Sequence, residues 1–288
     1  SNPEYLNQVD FWNKNILFYE EVPEKYKDLL VEKFPESLNH IDWLNKNILF
    51  HEKVPEKYKD LLVKKFPESL NQVDILRKNI LFHENVPEKY KDLLVEKFPE
   101  SLKQVDELGK NILFYEEVPE KYKDLLVEKF PESLKQVDYC GKNILFYEEI
   151  SEKYKDLLVE KFPESLKQVD ELGKNILFYE DVSEKYKDLL VEKFPEFLKQ
   201  VDIWGMNILS YINVSEKYRN LLIKLCEKPT LVRIIDCEND GTCFICLIDY
   251  EIGDEVTVTK CGHDLHIPCF VKYNGEHGNK KCYCGCKY

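Results

Sequence analysis

The sequence predicts a mainly α protein: a solenoid of helix-pair repeats over residues 3–228, a linker over 229–242 and a small metal-held domain over 243–288. Three observations carry this reading. From Asp10 onward the chain repeats itself every 32 residues. Near-identity at such a period marks a solenoid, in which each unit buries its apolar face only against its neighbours. Within a unit, apolar residues recur at 3-4 spacing between helix start and stop signals. Beyond Lys228-Pro229 the pattern ends, and seven of the ten cysteines crowd into Cys243–Cys286.

The unit in its cleanest form starts at Asp106 and reads DELGKNILFYEEVPEKYKDLLVEKFPESLKQV. The leading aspartate recurs at Asp10, Asp42, Asp74, Asp106, Asp138, Asp170 and Asp202, and an asparagine follows five residues later each time, from Asn15 to Asn207. That makes seven units, with 3–9 reading as the tail of an eighth. Asn111 before Ile112-Leu113-Phe114 suits a helix that starts near an asparagine cap. Pro119 gives way to Ser151, Ser183 and Ser215 in later units; proline in the first turn and serine at the cap both mark a helix start. Tyr122, Leu125, Leu126 and Phe130 then fall on one helical stripe, and Pro131 stops it. The remainder, PESLKQVDELGK, favours a loop or turn, with a short helix through Leu134 as the alternative.

The unit resembles the ankyrin repeat. The likeness lies in D-x-x-G-x-N-x-L from Asp106 and in the leucines of K-D-L-L-V-E-K. It departs from that family in its period, in Asn111-Ile112-Leu113-Phe114 where T-P-L-H is usual, and in Pro131-Glu132 after the second helix. The first three units also carry Asn13, Asn45 and Arg77 in place of the glycine. The resemblance implies a protein-binding scaffold.

The informative positions are those that change from unit to unit. The residues just after each aspartate vary freely and include Phe11, Trp12, Trp43, Leu44, Ile75, Leu76, Tyr139, Cys140, Ile203 and Trp204, with all three tryptophans among them. At the tip of a projecting turn, large apolar groups are expected to be partner contacts; the competing reading folds the turn back and buries them. His51 and His83 are expected to be ladder neighbours on the inner face rather than a metal site.

Residues 231–235 suggest a strand in the linker. The last domain then supplies Cys243 with Cys246, Cys261 with His263, His266 with Cys269, and a final cluster of Cys282, Cys284 and Cys286. Zinc takes four thiolate or imidazole ligands in a tetrahedron, so eight ligands predict two Zn²⁺. So short a segment could not bury a sufficient core alone, and metal would supply much of its folding free energy. A disulfide framework would leave the interleaved histidines without a purpose.

The order C-x2-C, C-x-H, H-x2-C and a late cysteine pair resembles the RING finger in its two-histidine variant. That resemblance implies one zinc on Cys243, Cys246, His266 and Cys269, and a second on Cys261, His263, Cys286 and either Cys282 or Cys284. It implies a ubiquitin-protein ligase without a catalytic nucleophile, which grips a charged ubiquitin-conjugating enzyme and works by positioning. Ile245, Tyr273 and Lys287 match the family's contacts to that enzyme. The family's late proline is missing, and Lys287 stands where an arginine is usual, a point charge in place of a planar fork. A non-catalytic adaptor, or a viral or parasite protein that engages a host partner, is the alternative.

A formal net charge of −13 argues against binding nucleic acid through a basic face. No apolar run is long enough to span a bilayer. The zinc thiolates and isolated Cys140 and Cys226 suit a reducing compartment, cytoplasm or nucleus, possibly of a host cell. Ser1-Asn2 reads as a scar left by truncation.

Overall fold

The computed structural model describes residues 3–211, 213–226, 231–234, 241–243, 245–259, 263–267 and 269. The chain divides into two compact units, residues 1–139 with 149–162 and residues 140–148 with 163–288.

Each repeat contributes one α-helix: α1 Glu24–Lys33, α2 Glu56–Lys65, α3 Glu88–Lys97, α4 Glu120–Lys129, α5 Glu152–Lys161, α6 Glu184–Lys193 and α7 Glu216–Cys226. The expected first helix of the pair is not an α-helix. Ile112–Phe114 and its equivalents form a three-residue 3-10 turn. Asn111 does cap it, with Oδ1 accepting from the Leu113 N–H, but Tyr115 returns to extended backbone at once. The proline-to-serine swap also acts differently from expectation. Pro119 and Ser151 both occupy the N-cap, and neither makes a side-chain cap bond. What the two share is extended backbone at that position. The segment after each helix folds as the short-helix alternative: Pro131–Lys135 is a 3-10 turn that begins on proline, where a missing N–H costs nothing.

The repeats stack through ladders of polar groups around an aliphatic core. Within a repeat, the buried asparagine at the 3-10 cap ties that turn to the one after the helix: Asn79 Nδ2 donates to the Ser101 carbonyl at 2.9 Å. The helix tyrosine reaches back to the preceding repeat. In the first compact unit Tyr58 is fully buried and its hydroxyl donates to Asp28 at 2.8 Å, a contact repeated by Tyr90 on Asp60, Tyr122 on Asp92 and Tyr154 on Asp124. In the second compact unit Tyr218 does the same with Asp188. Burial, then the neighbouring carboxylate, pushes the Tyr58 hydroxyl up to about 12. Beside each tyrosine an exposed lysine spans the seam, as Lys89 does with Glu56 and Asp60. Lys27, Lys59, Lys91, Lys123 and Lys187 lie buried on the opposite side of the helix, their ammonium groups held below the usual range by burial.

The turn at the head of each repeat is closed by its aspartate. Asp74 Oδ1 accepts from the N–H of Leu76 and of Lys78, and its Oδ2 meets His83 Nε2 at 3.1 Å. Tyr115 and Tyr179 close the same contact on Asp106 and Asp170. His51 and His83 thus pair with aspartates of their own repeats, which explains the buried carboxylate. The third residue of the turn is left-handed throughout: Gly109 at φ +76°, but also Asn13, Asn45 and Arg77 at φ +57° to +61°. The turn shape is therefore kept where the glycine is lost, at the cost of strain that only asparagine tolerates well.

After the array come β1 Leu231–Ile234, where a strand is expected from sequence, and β2 Thr242–Cys243, β3 Ile248–Asp249, β4 Glu255–Val258 and β5 Asp264–His266. They form an antiparallel sheet in the order β1-β4-β5 and a β2-β3 hairpin. No helix among the described residues is long and apolar enough to cross a membrane.

Candidate functional site

Two places bring together residues singled out by sequence. The first is a metal centre. Cys243 at the end of β2, Cys246 in the hairpin turn, His266 at the end of β5 and Cys269 just beyond present ligand atoms that all lie within 4.8 Å of one another. A zinc tetrahedron with bonds of about 2.3 Å has edges of about 3.8 Å, so a small inward movement would seat a metal. Among the described residues this is the group close enough to hold one.

The hairpin explains how two ligands arrive together. Cys243 pairs with Ile248 across β2-β3, and the Leu247 N–H donates to the Cys243 carbonyl at 2.7 Å. That tight turn puts Leu247 at φ +59° and folds Cys246 back over Cys243. Cys243 lies in a small core with Tyr250, Val256 and Leu265. Burial raises its thiol, but backbone N–H groups of Cys246, His266 and Ile245 aimed at the sulfur outweigh this and bring it down to about 7. Cys269 is pushed up to about 12 by burial and by the thiols of Cys246 and Cys243 beside it. Three thiols so close cannot all ionise unaided. A divalent cation in their midst would hold all three as thiolates, and the donor set of three sulfurs and one imidazole fits zinc.

His266 is held on both sides. Its Nδ1 lies 3.4 Å from the Cys246 sulfur, and its Nε2 lies 3.2 Å from Asp254 Oδ2. The Tyr250 ring meets it edge-on at 4.9 Å. Asp254 is a residue that sequence reasoning missed. Carboxylates are abundant in this chain, and only the β4-β5 register, with Val256 opposite His266, reveals which one counts.

Of the other expected ligands, His263 stands outside this cluster; Cys261, Cys282, Cys284 and Cys286 lie outside the described residues, as do Tyr273 and Lys287. Ile245 is half-buried and packs against the finger's core. Among the described residues there, Leu247, Ile248 and Ile252 are exposed apolar side chains.

The second place is the row of turn tips. Trp12, Trp43 and Trp204 are 52%, 57% and 62% exposed, and Phe11, Ile75, Leu76, Tyr139 and Ile203 are exposed as well. Leu44 departs from the set in being half-buried. Sequence reasoning passed over Leu108, which is also exposed. In the first compact unit each tip is tied to the one before by a backbone bond, Trp43 N–H to the Trp12 carbonyl, then Ile75 to Leu44, Glu107 to Leu76 and Tyr139 to Leu108. In the second compact unit Glu171 bonds Cys140 and Ile203 bonds Leu172. The ladders hold the tips in register while their side chains face solvent.

Compared with known proteins, the chain matches no family model and no curated protein sequence.

Proposed function

We propose that the chain is a RING-type ubiquitin-protein ligase, in which the turn tips of an ankyrin-like array recruit a protein substrate and the finger recruits a ubiquitin-conjugating enzyme. The observation that carries this reading is the order in which the ligands meet. The first pair, Cys243 and Cys246, closes with the third, His266 and Cys269, and not with His263, which stands nearer in sequence. That interleaving is what the RING resemblance implies; ligands taken in sequence order would have joined the first pair to the second. A second Zn²⁺ would fall to Cys261, His263 and two of Cys282, Cys284 and Cys286.

The finger would act by positioning, holding a thioester-linked ubiquitin for attack by a substrate lysine. Its own residues supply no nucleophile to that reaction. Leu247 and Ile248, exposed on the hairpin beside Ile245, add apolar surface on which a conjugating enzyme can dock, with Tyr273 and Lys287 completing the contact. Thiolates that would hold zinc suit a reducing compartment, cytoplasm or nucleus. The apolar tips serve the other half of the function, since contiguous exposed aromatic groups on a rigid scaffold are the usual anchors of a protein contact.

The test is discharge of ubiquitin from a panel of charged conjugating enzymes by the zinc-loaded full chain, with Cys269→Ser as the control. Discharge with at least one enzyme, lost in the control, is the expected result. A zinc-loaded chain that discharges none of them overturns the ligase reading and leaves a binding adaptor.

A further inference from the structure

We infer that Asp254 is the positioning residue of the metal centre: it fixes the tautomer and the ring orientation of His266, so that Nδ1 is the ligating atom and a better donor. This rests on the reading of Cys243, Cys246, His266 and Cys269 as metal ligands.

The geometry is specific on three counts. Nε2 of His266 lies 3.2 Å from Asp254 Oδ2, while Nδ1 lies 3.4 Å from the sulfur of Cys246. An ionised carboxylate only accepts, so the proton of the neutral ring belongs on Nε2 and the lone pair on Nδ1 points at the thiols. Second, the carboxylate is itself held. Asp254 Oδ2 also accepts from the Glu251 N–H at 2.9 Å, and the Asp254 N–H returns a bond to the Glu251 carbonyl at 3.0 Å. Gly253, at φ +98°, lets the chain close that turn. Third, the ring cannot swing away, because Tyr250 meets it edge-on at 4.9 Å and is itself buried in the finger's core.

A carboxylate on the far nitrogen of a ligating histidine raises the donor strength of the near one, and losing such a partner weakens metal binding by about 10–100-fold. Asp254 thus does for His266 what the backbone N–H groups do for Cys243. It would also be the reason that the short turn before β4 ends in an acidic residue at this point.

The experiment uses the full chain and zinc itself. Competition with a chelator gives the affinity of the zinc equivalent that Cys269→Ser abolishes, and ¹⁵N-histidine spectra of the loaded protein report which ring nitrogen of His266 carries the proton. In Asp254→Ala that equivalent should bind about 10–100-fold more weakly. Asp254→Asn, whose amide oxygen can still accept from Nε2, should recover part of the loss. It also keeps the comparison interpretable if the alanine variant folds poorly. Affinities for both variants within twofold of the parent, or a loaded His266 protonated on Nδ1, would overturn the assignment while leaving the metal centre intact. A parent chain from which Cys269→Ser removes no zinc overturns the ligand reading itself, and the role of Asp254 with it.

Discussion

Asn79→Ala tests how far each repeat is closed by its buried amide as well as by apolar contact. Asn79 is 2% exposed. Its Oδ1 accepts from the Leu81 N–H at 3.0 Å, and its Nδ2 donates to the Ser101 carbonyl at 2.9 Å near the end of the same repeat. Alanine removes both bonds. Loss of the cap costs about 1 kcal/mol. The Ser101 carbonyl keeps the Gln104 N–H at 3.2 Å, so the lost amide bond adds about 1 kcal/mol. The sum, about 2 kcal/mol, is large for one side chain in a domain of ordinary stability. Urea unfolding followed by far-ultraviolet circular dichroism measures it, with the slope read beside the midpoint, because a weakened repeat can break the cooperativity of the array. Asn79→Asp separates the two bonds. It keeps a good cap acceptor but sets a carboxylate against the Ser101 carbonyl, so at neutral pH it should be at least as damaging as alanine. A loss under about 0.5 kcal/mol for alanine, or a harmless aspartate, would show that the bond to Ser101 carries nothing and that apolar burial alone closes the repeat.

Trp43→Ala should cost little stability, well below the roughly 3–5 kcal/mol of a buried tryptophan, and should weaken capture of a partner; a large loss in urea midpoint would place the indole in the core instead. Ile245→Ala should destabilise the finger by about 1–2 kcal/mol because the side chain packs on its core, whereas Leu247→Ala should leave zinc affinity unchanged and lower ubiquitin discharge; the reverse pattern would return the docking contact to Ile245. Removing zinc with a chelator should unfold the finger while the helical signal of the array persists, since each repeat draws its stability from its neighbours; collapse of both signals together would contradict that. His83 is held near pKa 4 by burial and by Lys46, against the pull of Asp74. Its neutral form is favoured in the fold, so the stability it contributes is complete above about pH 6.5 and is lost as pH falls toward 4. His83→Tyr, which copies the other units, should flatten the urea midpoint over that window, and an unchanged profile would remove His83 as a cause.

Much of the array was legible because its constraints are local. The aspartate that closes each turn, the asparagine cap and the proline stop all act within a few residues, and the period repeats them seven times. What was not legible depends on distance in sequence. Tyr122 reads as part of an apolar stripe, yet its hydroxyl belongs to Asp92 in the previous repeat. Ile112–Phe114 carries helix-like residues, but three residues before an extended Tyr115 leave no room for an α-helical bond pattern, and the cap serves a 3-10 turn. In the finger, spacing pointed to the ligand pairs and the resemblance to the RING finger joined the four residues of the described centre, while Asp254 required the register of β4 against β5. The packing of Ile245 was hidden for the same reason. Its neighbours in space, the core around Val256 and Leu265, come from strands that the C-x2-C motif does not reveal.

The same constraints explain where the repeats are free to differ. In each unit the aspartate is committed to its turn, the asparagine to its cap, the tyrosine and lysine of the helix to the seam, and the leucines to the core. The third turn position is committed to left-handed backbone, which glycine and asparagine supply and Arg77 supplies under strain. The first two tip residues carry no comparable duty. Only their backbone groups are used, Ile75 donating to Leu44 and Leu76 accepting from Glu107. Any side chain would satisfy the fold there, and charged ones would satisfy it with less exposed apolar surface, as Glu107 and Glu171 show. Yet the tips of the first three units and the last carry Phe11, Trp12, Trp43, Ile75, Ile203 and Trp204, all of them exposed. Core packing does not account for that choice, because each of these side chains is more than half exposed. A contact with another protein would, and the proposed function puts that contact at the positions the scaffold leaves unconstrained.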